Sequence, residues 1–356
     1  MALSKTAITK TLQAQLLKDV FVPLQESHKD LSLQMAVLYK NEQWKFSFGK
    51  SFKFFDLASL TKPIFAMSLC MYLEDRSPGF VSQTVSSHLP WFKFPKVKIK
   101  DLLAHQSGAP ALYPVFEELK HDTLSGLAPL NLLIREVDFN MSEPVYSDVG
   151  FFILGAVLEE VFNRPLIEVF KDAHQGQMSS ALTEAWGTMH FRMTGQKKED
   201  SKNYAPTENC PLRHKVIQGE VHDESCWKMG GVSTHAGLFG SLEDVSQWVR
   251  VLNQVFQGNK FYSRKTISTF YKKQIGDWRL GLMVPSRPRS TAGETFSEAS
   301  YGHLGFTGTS IWVDPKQDLS VVVLSNRTYP DRRINMLNQF RPHIHNLVAK
   351  VIKDNK

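Results

Sequence analysis

Strand-forming sequence is concentrated at the two ends of this chain. Near the start, LQMAVLYK (33–40) and WKFSFG (44–49) are separated by Asn41, Glu42 and Gln43, which reads as an antiparallel hairpin. Near the end come RLGLMV (279–284), TSIWVDP (309–315) and LSVVVLSN (319–326), the last two joined by a turn at Lys316–Gln317. The long stretch between is mostly helical or irregular. A lone two-stranded hairpin is marginal in water, so the two ends are expected to complete one another. The simplest solution is an α/β (α+β) chain with one antiparallel sheet built from both termini and flanked by helices, plus a mostly helical lobe from the middle. The expected division is a single domain over 1–356. Its sheet lobe spans about 1–58 and 230–356, and its helical lobe about 59–229. A cleft between such lobes is a favoured place for a site.

The helices have their own signatures. Ile8, Leu12, Leu16 and Val20 recur every four residues, one face of a helix ending at Pro23. A second is expected from about Leu60 to Glu74, with Pro63 in its first turn. A third runs from about Val149 to Phe162, with Ile153, Val157 and Val161 along one side. Ser241 opens a fourth as its cap, with Asp244 three residues on, and a closing helix covers about Arg333 to Ile352. Residues from about Pro78 to Pro144 mix short helices with loops, and those from about His174 to Lys228 read as polar loop.

Composition narrows the function classes. With 42% hydrophobic and 22% charged residues among 356, a large core and an ordinary solvated surface are both available. The net charge of +7 is spread out: Lys96, Lys98 and Lys100 alternate with apolar residues, and Lys197, Lys198 and Lys202 lie in a polar stretch. No recognition motif accompanies them, so nucleic acid is not an expected partner. Cys70, Cys210 and Cys226 include no C-x-x-C pair, and an odd count favours reduced thiols. The first residues lack the continuous apolar stretch of an export signal, and no run is long enough to span a bilayer. The expectation is a cytoplasmic chain, or a periplasmic one if a signal has been removed.

Some chemistries are absent. There is no G-x-S-x-G and no H-E-x-x-H, and Gly49-Lys50-Ser51 fails as a phosphate loop because Trp44 stands where the first glycine belongs. Three weak signals remain. Ser59-Leu60-Thr61-Lys62 places a hydroxyl and an amine one turn apart on a helix face, so Lys62 can reach and activate the Ser59 oxygen. Burial could lower the pKa of Lys62 toward that of a base, and the helix N-terminus would aim amides at a developing oxyanion. Tyr146-Ser147-Asp148 opens a helix, where a phenol near an ammonium can relay protons and Ser147 or Asp148 can cap. His303-Leu304-Gly305-Phe306-Thr307-Gly308-Thr309 leads into a strand, where glycines admit a substrate backbone and His303 can bind a carboxylate or assist proton transfer. Each alone has an ordinary structural explanation as a cap or a turn.

Taken in order, the three elements follow the pattern of serine penicillin-recognising enzymes. The sequence closely resembles the class C β-lactamase-related, penicillin-binding-protein-like family, which includes D-Ala-D-Ala carboxypeptidases and esterases. The resembling stretches are FDLASLTK (Phe55 to Lys62), LLAHQSG (Leu102 to Gly108), YSDVGFFILG (Tyr146 to Gly155), GEVHDE (Gly219 to Glu224), HAGLF (His235 to Phe239) and GHLGFTGTS (Gly302 to Ser310). The resemblance covers most of the chain, from about residue 30 to residue 330. The resemblance implies a β-lactamase/transpeptidase-like fold and a serine hydrolase. Ser59 would form the acyl-enzyme, with Lys62 and Tyr146 sharing the proton transfers. The backbone N–H groups of Ser59 and Phe306 would make the oxyanion hole. His303 would stand in the place of the family's lysine, and Asp148, Gly305 and Thr307 would contact substrate. No metal or cofactor is implied.

Two departures bear on substrate. Asp148 replaces the usual Asn; it favours the charged form of Lys62 and cannot donate to a substrate amide. His303 replaces Lys, removing a permanent cation for a substrate carboxylate. Both weaken a dedicated β-lactamase and leave peptidase and esterase activity open. The expected partner is a small molecule or peptide: a D-alanyl peptide, an ester or a β-lactam. The competing reading is a non-catalytic relative that binds peptidoglycan fragments or a protein. His222, Asp223 and Glu224 are adjacent in a segment expected to be extended, so they cannot all face one metal ion. His105 and His235, each near a glycine, read as hydrogen-bonded structural histidines.

Overall fold

The computed structural model describes residues 5–113, 135, 137–140, 145–196, 200–258, 261–272 and 276–355. Its strands, in chain order, are β1 (Leu33–Tyr39), β2 (Glu42–Phe48), β3 (Phe55–Asp56), β4 (His190–Phe191), β5 (Pro206–Cys210), β6 (Lys215–Gln218), β7 (Leu238–Gly240), β8 (Tyr301–Leu304), β9 (Ser310–Asp314) and β10 (Leu319–Ser325). Five of them form the main sheet in the order β2–β1–β10–β9–β8, all antiparallel. The two chain ends do pair: Leu33 lies opposite Ser325 and Val37 opposite Val321. Every residue of β10 is buried, as expected of a central strand covered on both faces. Edge strand β2 alternates instead, with Trp44, Phe46 and Phe48 inward and Lys45 and Ser47 outward.

Alternation sends the two faces of the sheet to different partners. Met35, Val37, Trp312, Val321 and Val323 pack against the terminal helices through Leu12, Leu16, Ile344 and Val348. Ala36, Leu38, Ile311, Val313, Val322 and Leu324 join the larger cluster that continues through the helical middle of the chain. Five of the helices are α1 (Lys5–Leu16), α2 (Ser68–Arg76), α3 (Asp148–Phe162), α4 (Leu242–Phe256) and α5 (Met336–Asp354). Ser241 caps α4 as its sequence suggests, accepting from the Asp244 N–H while the Asp244 carboxylate accepts from the Ser241 N–H.

Three expectations need correcting. The first helix does not end at Pro23: a wide turn (Leu17–Phe21) leads into a short helix (Val22–Ser27) with proline in its first turn, where a missing N–H costs nothing. RLGLMV is not a ladder strand. Gly281 turns the chain at a φ of 78° and gives its N–H to the Leu103 carbonyl, so Met283 alone bridges to Gly302. The fifth strand is β8, which carries His303. The polar stretch from His174 to Lys228 is not mere loop. It forms the hairpin β5–β6 and supplies β4 to a small sheet, β3–β7–β4, which ends just before Ser59.

Candidate active site

Ser59 follows directly from β3. A short 3₁₀ turn (Ala58–Leu60) and a wide turn (Lys62–Met67) precede α2, so the helix start is irregular where a regular one was expected. Ala58 sits at a φ of 48°, a left-handed conformation that costs a non-glycine residue about 1–2 kcal/mol. Asp56 holds it there. One carboxylate oxygen accepts the Ala58 N–H at 2.8 Å and the other accepts the His222 N–H at 2.7 Å. Burial pushes the Asp56 carboxyl up to about 6. The sequence reading did not single out Asp56; its signal was an aspartate two residues before the N–H it accepts, the pattern of an Asx turn.

Lys62 is fully buried, and its ammonium donates to three acceptors: Ser59 Oγ at 3.0 Å, Asp148 Oδ1 at 2.6 Å and the His235 carbonyl at 3.2 Å. The i,i+3 spacing thus delivers Lys62 to Ser59 as expected. Its charge state does not follow the first expectation. Burial drives its pKa down, but the Asp148 carboxylate and the Tyr146 phenol outweigh burial and hold Lys62 above its ordinary range. The amine therefore rests as a cation, in line with the effect expected of Asp148.

Tyr146 and Asp148 arrive on the start of α3. Ser147 is the cap, its hydroxyl accepting the Gly150 N–H at 2.9 Å. That leaves Asp148 free to turn toward Lys62. The Tyr146 ring is partly exposed and lies 4.9 Å from the ammonium. Its hydroxyl side faces Lys62 and Ser59; burial raises its pKa more than Lys62 lowers it, so the phenol keeps its proton. His303 stands on β8, with its ring centre 6.2 Å from that of Tyr146. It is buried, and burial together with Lys62 depresses its pKa to about 3. At neutral pH this imidazole is uncharged and supplies no anchor for a carboxylate.

The turn after β8 is laced to the segment before Ser59. Gly305 donates to the Thr309 carbonyl at 2.7 Å, and Gly308 to the Gly305 carbonyl at 3.0 Å. The Thr309 hydroxyl bonds the Leu57 carbonyl at 3.0 Å and the Thr307 hydroxyl bonds the Asp56 carbonyl at 2.7 Å. Thr307 and Gly305, expected at the substrate, both take part in this packing. Thr307 is buried with its hydroxyl committed, and a Cβ on Gly305 would collide with Thr309 Oγ1 and the Leu57 carbonyl. Both serve to close the turn against the nucleophile segment. Among the described residues, neither the Ser59 N–H nor the Phe306 N–H meets an acceptor, which leaves both for an oxyanion. Arg327, which the sequence reading missed, braces this turn from behind. Its backbone N–H donates to the Thr307 carbonyl at 3.0 Å and its guanidinium to the Phe306 carbonyl at 2.6 Å.

The remaining candidates are structural. His235 pairs with Ser233 at 2.7 Å and with Asp223 at 2.9 Å. The segment at His222 is not extended: Asp223 caps the short helix Glu224–Lys228. The imidazole of His222 lies tilted beside the Phe306 ring, with centres 5.5 Å apart. Glu208, Cys210 and Glu224 bring potential metal-ligand atoms within 4.8 Å of one another. The Arg332 guanidinium already pairs with both carboxylates, so the cation this cluster calls for is in the chain.

A family model described as Beta-lactamase matches residues 17–342. A Salmonella gallinarum (strain 287/91 / NCTC 13346) protein provisionally named D-alanyl-D-alanine carboxypeptidase is 32% identical over 319 residues, covering 77% of this chain and 69% of its own length. A Bacillus subtilis (strain 168) protein named N-acetylmuramyl-L-alanine amidase is 27% identical over 307 residues, covering 77% of this chain and 68% of its own. The crystal structure of a β-lactamase from Sulfitobacter sp. EE-36 superposes with a TM-score of 0.69 at 16% identity, over 99% of this chain and 100% of the other. That last likeness is one of fold. No helix among the described residues is long and apolar enough to cross a membrane.

Proposed function

The chain belongs to the Beta-lactamase family and is a serine hydrolase, and we propose that it cleaves D-alanyl peptides or small esters through an acyl-enzyme on Ser59. One observation carries the reading: a fully buried Lys62 ammonium lies 3.0 Å from Ser59 Oγ and 2.6 Å from Asp148 Oδ1. A cation is not buried at a serine without cost, and a purely structural serine gains little from it. The names of the carboxypeptidase and amidase relatives favour an amide or ester substrate. The uncharged His303 argues against a site built around a β-lactam carboxylate.

In the proposed step, Lys62 and Tyr146 both begin protonated, as their raised pKa values favour. As Ser59 Oγ attacks the acyl carbon the protons move in one relay: Tyr146 gives its proton to the departing nitrogen or oxygen, Lys62 replaces it with one of its own, and the lone pair so freed on Lys62 takes the Ser59 proton. Each proton advances one place, so both side chains return to their starting forms and the leaving group departs neutral. The Ser59 and Phe306 N–H groups receive the oxyanion. Water repeats the sequence in reverse to release the acid.

The test is incubation with a fluorescent penicillin, a fluorophosphonate and p-nitrophenyl acetate, using wild type, Ser59→Ala and Lys62→Ala. The reading expects covalent mass on Ser59 and turnover that Ser59→Ala abolishes. A wild type indistinguishable from Ser59→Ala with every probe would replace it with the binding-only alternative.

A further inference from the structure

His105 lies outside the proposed proton path but against one of its members. Its ring is buried, with its centre 4.4 Å from that of Tyr146, 4.3 Å from that of Trp278 and 5.2 Å from that of Phe151. His105 Nδ1 accepts the Ser147 N–H at 3.0 Å, so it holds the peptide that joins Tyr146 to the cap of α3. The residue reaches that position only by adopting a φ of 56°, uncommon without a glycine and often found where a site is over-determined. Burial and the Lys62 charge keep the imidazole neutral. With Nδ1 accepting, the ring proton resides on Nε2, which is buried and unpaired among the described residues. His303 is the complement: its Nδ1 donates to the Leu304 carbonyl, so its unpaired Nε2 carries a lone pair.

We propose that His105 is the positioning residue for Tyr146. Its ring and its bond to Ser147 fix the phenol between Ser59 and the leaving atom. A cap alone needs no aromatic partner: Ser147 satisfies the helix through its own hydroxyl, and an amide side chain could accept its N–H. The aromatic ring at position 105 is explained by the phenol it packs against. Trp278 closes the other side, with its ring centre 5.6 Å from that of Tyr146 and 4.3 Å from that of His105. The inference rests on the reading above, in which Tyr146 delivers the proton to the leaving group.

The test separates positioning from general damage by leaving group. His105→Asn keeps an acceptor for Ser147 and tolerates the positive φ, but removes the ring. A p-nitrophenolate leaves without a proton, whereas an alkoxide or amine needs one. General acid catalysis is worth about 10²–10⁴-fold, so His105→Asn is expected to lose about 100-fold in kcat on an alkyl ester or amide. On the p-nitrophenyl ester of the same acyl group it should lose only a few-fold, with KM little changed. Tyr146→Phe should show the same pattern. Trp278→Leu, at a half-buried site, should show it more weakly and serves if His105→Asn fails to fold. Equal losses on both leaving groups, or none, alongside a leaving-group effect in Tyr146→Phe, would overturn the inference. Turnover surviving in Ser59→Ala would overturn the underlying reading as well, and that arm tells the two failures apart.

Discussion

Replacing Asp148 by Asn tests the charge state on which the site depends. The substitution nearly preserves shape and removes the carboxylate 2.6 Å from a fully buried ammonium. Breaking a buried pair by removing one partner typically costs about 3–5 kcal/mol. A second argument sets a ceiling. Lys62 can escape an unpaired charge by releasing its proton, and its ordinary pKa is 10.5. Each tenfold in proton affinity is worth about 1.4 kcal/mol, so deprotonation at pH 7 costs about 5 kcal/mol and at pH 9 about 2 kcal/mol. In the wild type the raised pKa of Lys62 stabilises the fold fully below 10.5, and that contribution is lost only as pH rises through the raised value. In Asp148→Asn only Tyr146 still opposes burial, which then depresses Lys62, so the penalty shrinks as pH rises toward 10.5. Urea unfolding of both proteins at pH 7 and pH 9 is the assay. The expected deficit is up to about 5 kcal/mol at pH 7, falling to about 2 kcal/mol at pH 9. A deficit near zero at pH 7, or one that stays constant with pH, would refute the claim that Asp148 holds Lys62 as a buried cation.

Thr307→Val should lower stability by about 1–2 kcal/mol through loss of the bond to the Asp56 carbonyl while leaving KM unchanged; a large rise in KM at unchanged stability would return Thr307 to the substrate contacts. His345 is buried with its pKa lowered to about 4 against an ordinary 6.5. Its contribution is therefore intact above pH 6.5 and is lost as pH falls toward 4, amounting to about 2 kcal/mol at pH 5. His345→Gln should remove that part of the acid sensitivity, measured as the difference in unfolding free energy between pH 7 and pH 5. An unchanged difference would mean the imidazole is not held neutral in the fold.

Arg327 and Asp56 show why some of the site was hidden in the sequence. Both act through backbone groups of residues distant in the chain: Arg327 on Phe306, and Asp56 on His222. Neither belongs to a pattern of side-chain types that chemistry requires, so nothing in their local context marks them. Asp56 carries only the Asx-turn signal, which is as common in ordinary turns. The strand at 279–284 was misjudged for a related reason. Its apolar residues suit a strand, but Gly281 spends its N–H on Leu103, a partner that no periodicity reveals.

What the sequence determined by itself is what depends on residues a few positions apart. The alternation in β2, the Ser241 and Asp244 cap and the three-residue step from Ser59 to Lys62 are local, because a side chain's direction follows from the backbone that carries it. The pairing of the two chain ends also followed, since strands with unpaired edges must find partners. The tertiary structure decided protonation and access. Lys62 is a cation because Asp148, 86 residues away, is brought to 2.6 Å. His303 is neutral because the fold takes it out of water near that cation. The Thr307 hydroxyl bonds the Asp56 carbonyl, 251 residues away, because the turn after β8 lies against the nucleophile segment. Charge interactions and desolvation depend on distances through space, and those distances are set only when the whole chain has packed.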